Sequence, residues 1–408
     1  MNKLDSKNSK KLIFLCSLAY FVSYLTRINF AAVIAAIIAD GCIEKAAAGA
    51  VTTVGFITYG VGQLISGKLG DRFDPKKLMT LGFFVTAAMN LLIPFVKGAV
   101  PMCLVWGVNG LAQSLMWPPM LKIMKTAMSE DDFNKGCVQT SLGCTIATIL
   151  IYLLSPVVIS VWSWKGVFFI ATVCGIAMAI TWYTVLTKIE RSADIKYVLK
   201  KSSDKKSKKR IPAMPIVLLI FTLAAIFFQG VLRDGVTTWL PTYIYESFGL
   251  SSEKSILTSA VIPIFSYISL QICSRLYNKT GRKPFKCGFM IFAVGAVSTI
   301  ILVAFGSHSV ILTAVICALI VGCMHGVNLV LISFIPGIYG NNENVSELSG
   351  TLNFMTYVGS AASAYGFALL SNSFGWNGTI ISWVVIALLG TAAVGICKII
   401  DKEPENER

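Results

Sequence analysis

Two arginines lie inside long apolar segments of the chain, where an ionised side chain is costly. Arg27 belongs to "YFVSYLTRINFAAVIAAIIA" (residues 20–39), and Arg233 belongs to "FFQGVLRDGVTTWLPTYI". A guanidinium at the centre of a membrane-spanning helix costs about 2.5–3.5 kcal/mol on insertion scales. Asp234 is the only acidic residue expected at a similar depth, and one carboxylate cannot neutralise two guanidiniums. We therefore expect a compensating ligand at the two arginines.

The chemistry of a guanidinium indicates what that ligand is. Its planar fork of N–H donors matches the oxygens of a phosphate or a carboxylate, whereas a lysine is a point charge. A doubly charged oxyanion would balance both arginines. Such a site also favours exchange, because closing it while empty leaves uncompensated positive charge and closing it around a dianion does not.

Other polar side chains recur within the apolar segments and are candidate substrate contacts. Tyr24 shares a helix face with Arg27, and Gln229 precedes Arg233 by four residues. Each such side chain alone more often forms a hydrogen bond between helices than a contact with a ligand. The candidate set consists of Tyr24, Gln63, Gln113, Trp117, Gln229, His325, Asn328 and Tyr357.

The composition predicts an all-α polytopic membrane protein. Of the 408 residues, 55% are hydrophobic and only 13% are charged. Apolar stretches long enough to cross a bilayer predict twelve transmembrane helices, and an even number puts both termini on one side. The predicted spans are residues 12–39, 47–69, 78–96, 101–124, 137–162, 167–187, 214–240, 255–274, 285–306, 310–335, 347–371 and 377–399.

The distribution of lysine and arginine predicts the orientation. The amino terminus, the second-to-third loop, the eighth-to-ninth loop and the carboxyl-terminal tail are basic, and the opposite loops carry few basic residues. Basic loops stay cytoplasmic, so we expect both termini inside, with the protein in the plasma or inner membrane of the cell. The basic run 188–211 is interpreted as a linker near anionic lipid headgroups rather than as a nucleic-acid site.

The basic run divides the spans into two halves that resemble a repeat. We predict an amino-terminal six-helix bundle at 1–187, a cytoplasmic linker at 188–213 and a carboxyl-terminal six-helix bundle at 214–408. Corresponding loops read "GKLGDRFDPKK" and "SRLYNKTGRKP". Their charged residues either form a latch that opens during a conformational cycle, or they only set the orientation of the chain in the membrane. The latch candidates are Asp71, Arg72, Lys76, Arg282 and Lys283.

Several of these segments resemble known proteins. The first loop resembles the G-x-x-x-D-R-x-G-R-K signature of the major facilitator superfamily, departing from it at Asp74 and Pro75. The chain is similar to the organophosphate:phosphate antiporters of that superfamily, such as glycerol-3-phosphate and hexose-phosphate transporters, over most of residues 12–399. The segments that carry the resemblance are "YLTRINF", "YGVGQLISGKLGDR", "GLAQSLMWPPMLKIM", "VLRDGVTTWLPTYI" and "FGWNG".

The resemblance implies a fold, an activity and a binding pair. The fold is two pseudo-symmetric six-helix bundles that rock around a central site, and the activity is exchange of a phosphorylated metabolite for inorganic phosphate. Arg27 and Arg233 match the arginines that hold the phosphate group. No cofactor is implied, and one chain with both halves should suffice as a monomer.

Departures from the family leave the substrate open. The glycerol-3-phosphate transporters carry a lysine in the second helix where this chain has Gln63, and another lysine where it has Ile28. Their fifth-helix histidine has no counterpart here. A different organophosphate, a phosphonate or a less charged organic anion is therefore compatible with the sequence.

Two other functions are compatible with the same residues. A proton-coupled anion symporter would use Asp234 or His325 as its proton carrier. A membrane sensor for phosphate esters is a further alternative. An enzyme is not expected, because two histidines and no paired nucleophile and base give no catalytic set. The eleven cysteines lack metal-ligand spacing, so no metal is expected.

Overall fold

A computed structural model describes residues 3–199, 214–250, 258, 261–340 and 343–401. Every regular element in these residues is helical. The helices are α1 Ser6–Ala39, α2 Lys45–Arg72, α3 Pro75–Leu92, α4 Ala99–Ser114, α5 Trp117–Ala127, α6 Glu130–Val161, α7 Trp164–Ser192, α8 Ile216–Phe248, α9 Val261–Lys279, α10 Pro284–Phe305, α11 Val310–Asn328, α12 Ile335–Tyr339 and α13 Val345–Ile400.

Polar caps explain why several helices extend beyond their predicted apolar spans. Asp5 accepts a hydrogen bond from the backbone N–H of Asn8, so α1 begins at Ser6, six residues before the apolar run at 12. Ser129 caps α6 in the same way, and three acidic residues occupy the first turn of that helix. The helices therefore continue into the polar region at the membrane surface.

The length and apolar composition of the helices identify the chain as a multi-pass membrane protein. Within the described residues, ten helical segments are long and apolar enough to cross a bilayer. The predicted eighth and eleventh spans correspond to α9 and to the first part of α13, neither of which is among the ten. Large apolar side chains such as Phe14, Leu153 and Val297 are more than half exposed, as expected for surfaces that contact lipid.

Three irregularities interrupt the helical pattern. The fourth predicted span breaks at residues 115–116, and Pro118 lies in the first turn of α5, where its missing N–H costs nothing. Residues Leu329–Phe334 form a π-helix after α11. Gly375 has φ of 66° within α13, a left-handed conformation that favours glycine and separates the eleventh and twelfth spans.

The chain divides into two compact units. Unit 1 comprises Met1–Ile211 and Pro336–Phe354, and unit 2 comprises Pro212–Ile335 and Met355–Arg408. Of the predicted linker at 188–213, the first five residues continue α7, and residues 200–213 lie outside the described part of the chain. The predicted bundle boundaries stay a prediction.

Candidate anion-binding site

Arg27 lies on α1 of unit 1 and is held by aromatic rings. Its guanidinium carbon is 4.2 Å from the centre of the Tyr24 ring and 4.5 Å from that of Tyr59, which belongs to α2. Tyr20 continues the cluster, with its ring centre 5.2 Å from that of Tyr24 and 5.0 Å from that of Trp117. Cation–π contacts hold a guanidinium by its face and leave the N–H groups at its edge directed away from the rings.

A buried hydrogen-bond network fixes the orientation of α1 behind Arg27. The amide nitrogen of Gln113 donates to the hydroxyls of Thr26 and Thr86, both at 2.8 Å, and its oxygen accepts from Ser23 at 2.6 Å. Asn90 on α3 donates to the backbone oxygen of Thr26 at 3.0 Å. The network joins α1, α3 and α4, so Gln113 has a packing role here, and its predicted contact with substrate stays a prediction.

Arg233 lies on α8 of unit 2 and forms a bidentate ion pair with its neighbour in sequence. Its Nε is 2.7 Å from Oδ1 of Asp234, and one Nη is 2.8 Å from Oδ2. The Ser360 hydroxyl donates to the same carboxylate. Tyr357, a predicted contact, is half-buried one turn before Ser360 on α13. Asp234 therefore holds the guanidinium in a defined plane.

Gln229 connects α8 to α11 one turn before Arg233. Its side chain is fully buried, and its amide nitrogen donates to the backbone oxygen of Met324 at 3.1 Å. His325 follows directly, and its Nδ1 is 3.0 Å from the Val321 oxygen and 3.2 Å from the Ser266 hydroxyl. The contact brings His325 close enough to Arg233 and Asp234 for electrostatic interaction.

Asp71 lies fully buried in the last turn of α2, in unit 1. Its carboxylate accepts from the backbone N–H groups of Ser346 at 3.2 Å and Glu347 at 2.7 Å, at the first turn of α13. Lys122 is 0% exposed, and its Nζ is 3.2 Å from the same carboxylate. A carboxylate at a helix amino terminus interacts favourably with the helix dipole. Asp71 thus faces a helix end and one lysine.

Gln63 lies two turns before Asp71 and contacts the same helix. It is fully buried, and its side-chain oxygen accepts from the Asn353 amide at 3.0 Å. Its amide nitrogen has no hydrogen-bond partner among the described residues. Gln63 therefore packs α2 against the first part of α13 in this structure, and its predicted contact with substrate is untested.

The other predicted latch residues have separate surroundings. Lys76 forms an ion pair with Glu190 at 2.5 Å, and the Tyr197 hydroxyl donates to the second oxygen of Glu190 at 2.6 Å. Burial and the nearby Glu190 carboxylate raise the pKa of Tyr197 well above its ordinary value. Arg72 is exposed, and Arg282 and Lys283 form the turn between α9 and α10 in unit 2. In this structure Lys76 thus ties the second-to-third loop to the end of α7.

Comparison with known protein families gives a match over most of the chain. Residues 16–364 match the family model described as Major Facilitator Superfamily. The chain belongs to the Major Facilitator Superfamily. It is accordingly a multi-pass membrane transporter rather than an enzyme, as predicted from the sequence.

Relatives within the superfamily agree with the predicted resemblance. The chain is similar to a probable hexose phosphate transport protein of Chlamydia muridarum, 23% identical over 91% of this chain and 86% of the relative. It is 25% identical to the glycerol-3-phosphate transporter of Bacillus subtilis, over 91% and 88%. It is also 22% identical to the membrane sensor protein UhpC of Salmonella typhimurium, over 88% and 85%. The resemblance to organophosphate:phosphate antiporters is therefore confirmed.

A solved structure shares the fold. The outward-facing crystal structure of a bacterial homologue of the iron transporter ferroportin gives a TM-score of 0.72 at 13% identity, covering 95% of this chain and 99% of that one. At this identity the likeness shows the fold alone.

Within this superfamily member, the structure groups the predicted residues into two sets. Arg27, Tyr24 and Trp117 lie together in unit 1, whereas Arg233, Gln229 and His325 lie together in unit 2. Asn328 is half-buried on the same face of α11 as His325.

Sequence reasoning missed partners that come from other helices. Tyr59 and Ser360 are ordinary residue types for a membrane helix, and only the tertiary contact reveals them. Tyr59 begins the quoted segment "YGVGQLISGKLGDR", and that resemblance was the one available signal for it.

Proposed function

We propose that the protein exchanges a phosphorylated metabolite, of the sugar phosphate or glycerol phosphate type, for inorganic phosphate. Arg27 and Arg233 bind the phosphate group, and the substrate gains access alternately from each side by a rocker-switch movement. The observation that carries the proposal is that each guanidinium is held in a defined orientation, Arg27 by two tyrosine rings and Arg233 by Asp234. The names of the hexose phosphate and glycerol-3-phosphate relatives support the substrate class.

Charge explains why exchange follows from such a site. With Asp234 ionised, the two arginines and this carboxylate carry a net charge of about +1, which a bound phosphate monoanion offsets. An empty site keeps that charge in a poorly solvated position, so the empty protein reorients slowly. The loaded protein reorients readily, and net flux requires an anion in each direction.

The same arrangement gives proton-coupled symport as a second candidate. A dianion bound at a net charge of about +1 leaves one negative charge in excess, and protonation of Asp234 would remove it. Asp234 is 34% exposed at its side chain, so a proton can reach it. A sensor role is the third candidate, and the relative named as a membrane sensor protein supports it.

The proposed cycle includes a latch and a membrane orientation. Asp71 holds the first turn of α13 in one state and releases it in the other, while Arg72, Lys76, Arg282 and Lys283 act at the same membrane face. Both termini lie in the cytoplasm, the protein lies in the plasma or inner membrane, and a single chain is the functional unit.

The proposal is tested by uptake of labelled phosphate into proteoliposomes with and without internal phosphate. The variants are Arg27→Lys and Arg233→Lys, which keep the charge and lose the fork. Arg191→Lys is the matched control, because Arg191 is exposed at the end of α7. We expect uptake that requires internal phosphate and that both site variants reduce at least about ten-fold, since each loses a bidentate charge-assisted contact.

Two other outcomes contradict exchange. Uptake into empty vesicles driven by a pH gradient and abolished by Asp234→Asn would establish symport. Binding of phosphate esters without uptake under any loading would favour the sensor.

A further inference from the structure

The hydrogen bonds around His325 determine which ring nitrogen carries its proton. The Ser266 hydroxyl donates its hydrogen to the backbone oxygen of Ile262 at 3.0 Å, so it can only accept from Nδ1 of His325. The Val321 oxygen, 3.0 Å from the same nitrogen, is also only an acceptor. Nδ1 therefore carries the hydrogen, and in the neutral ring Nε2 is a hydrogen-bond acceptor. Within the described residues, Nε2 has no hydrogen-bond partner.

His325 and Asn328 are half-buried, whereas all other residues of 320–337 are buried. They are three positions apart and share one face of α11. The side chain of Asn328 has no hydrogen bond among the described residues. Lipid is an unfavourable neighbour for such a polar pair, so we expect the accessible side of the pair to face a polar ligand or water rather than the bilayer.

Gln229 fixes the position of this pair relative to Arg233. The hydrogen bond from Gln229 to the Met324 oxygen joins α8 and α11 at one point. Because α8 and α11, the seventh and tenth spans, run in opposite directions, Arg233 lies about 6 Å from that point on one side and Asn328 about 6 Å from it on the other. His325 directly follows Met324 and interacts electrostatically with Arg233, so it lies between Arg233 and Asn328 along unit 2.

We propose that His325 and Asn328 bind hydroxyl groups of the organic part of the substrate, so that the protein selects a polyhydroxylated phosphate ester over an ester without hydroxyls. The inference rests on the proposed function, in which Arg233 binds the phosphate group. Nε2 of His325 accepts a hydrogen from one hydroxyl, and the Asn328 amide donates to or accepts from another. Free phosphate has no carbon chain with which to reach the pair.

The chemistry of these groups explains the selectivity. A site that holds an unpaired acceptor binds a hydroxyl well and penalises an alkyl group, because the alkyl group leaves that acceptor desolvated and unpaired. Aspartate or glutamate at these positions would repel the phosphate, whereas neutral imidazole and amide groups do not.

The test is isothermal titration calorimetry on the purified full-length protein with three probes. They are glucose 6-phosphate, butyl phosphate, which has the same charged group without hydroxyls, and inorganic phosphate. The variants are His325→Asn, which removes the Nε2 acceptor, His325→Gln, whose amide oxygen can reach its position, and Asn328→Ala. His308→Asn is the matched control, because His308 is the other histidine and is exposed.

We expect the wild type to prefer glucose 6-phosphate over butyl phosphate by at least about ten-fold. His325→Asn and Asn328→Ala should each lower that preference about ten-fold, whereas His325→Gln should keep it within about three-fold. His308→Asn should not change it.

The inference is overturned if the wild type binds the two esters equally, or if His325→Asn weakens both to the same extent. If the preference for glucose 6-phosphate depends on His325 but vesicles show no phosphate exchange, the inference stands and the proposed exchange is rejected. If vesicles show phosphate exchange but the protein has no such preference, the proposed exchange stands and the inference is rejected.

Discussion

Lys122 illustrates how a buried charge in this protein depends on its ion-pair partner. The lysine is 0% exposed and contacts Asp71 through both the carboxylate and the backbone oxygen, each at 3.2 Å. Its place near the end of the fourth predicted span is compatible with either attraction of anions or an extended side chain at the membrane surface. The structure shows neither, because the ammonium group is enclosed and paired.

A double-mutant cycle measures this dependence. Asp71→Asn alone leaves a buried ammonium without its counter-charge, and Lys122→Met alone leaves a buried carboxylate. Each should destabilise the protein by about 3–5 kcal/mol. The double variant should recover a large part of that loss, as followed by thermal unfolding of the purified protein. If the stability losses of the two single variants simply add up in the double variant, Asp71 and Lys122 do not interact directly.

Residue types in the sequence singled out Arg27 and Arg233 as candidate anion-binding residues, but they could not predict the groups around them. Arg27 and Arg233 are detectable because an arginine in an apolar segment is costly and therefore needs a reason. Tyr59, Ser360 and Ser266 gave no comparable signal, because tyrosine and serine are common in membrane helices. Their roles arise only from packing between helices that are distant in sequence.

At the scale of elements, glycines determine how closely α2 and α13 approach. A Cβ on Gly350 would collide with the backbone oxygen of Gln63, and one on Gly67 would lie 2.8 Å from the Ser346 oxygen. Backbone atoms cannot move aside as a flexible side chain can. The close approach places Asp71 within hydrogen-bond distance of Ser346 and Glu347.

Gly350→Ala tests the importance of that approach. The added methyl group should separate the two helices and lower stability by about 1–3 kcal/mol, the usual cost of overpacking. Gly366→Ala is a matched control in the same helix, because no atom lies within 4 Å of its added Cβ. The test compares the melting temperatures of the purified Gly350→Ala and Gly366→Ala variants. Equal melting temperatures would show that the helices separate at no cost.

The sequence predicted most elements but not their interruptions. Apolar runs and basic loops located the spans to within several residues. The fourth predicted span breaks at residues 115–116, and Pro118 lies in the first turn of the next helix, which Trp117 starts. The π-helix at Leu329–Phe334 had no signal in the sequence, because its residues other than Ser333 are apolar like their neighbours.

At the scale of the whole molecule, the formal charge of +15 describes topology more than function. Basic residues gather in the loops and segments predicted to be cytoplasmic, and the large exposed apolar side chains are expected to contact lipid. Composition and span count therefore predicted the fold class. They could not predict that Pro336–Phe354 belongs to the same compact unit as the first half of the chain, because that grouping depends on tertiary contacts.

The predicted topology is testable on either side of one helix. Lys77 lies in the first turn of α3, Lys97 lies between α3 and α4, and both are exposed. In a chain whose native cysteines are replaced, Lys97→Cys should react with a membrane-impermeant maleimide in intact cells. Lys77→Cys should react only after the membrane is permeabilised. The opposite pattern would invert the protein in the membrane.

The contact between Tyr197 and Glu190 makes the influence of a neighbouring basic residue depend on ionic strength. Because Tyr197 is half-buried and bonded to Glu190 on α7, the exposed Lys196 beside it stays within one residue, about 4 Å, of a fixed point after the end of that helix. That distance is shorter than the Debye length, about 8 Å at physiological salt. We therefore expect any attraction of Lys196 to anionic headgroups, about 1 kcal/mol per basic residue near the surface, to weaken as the salt concentration rises.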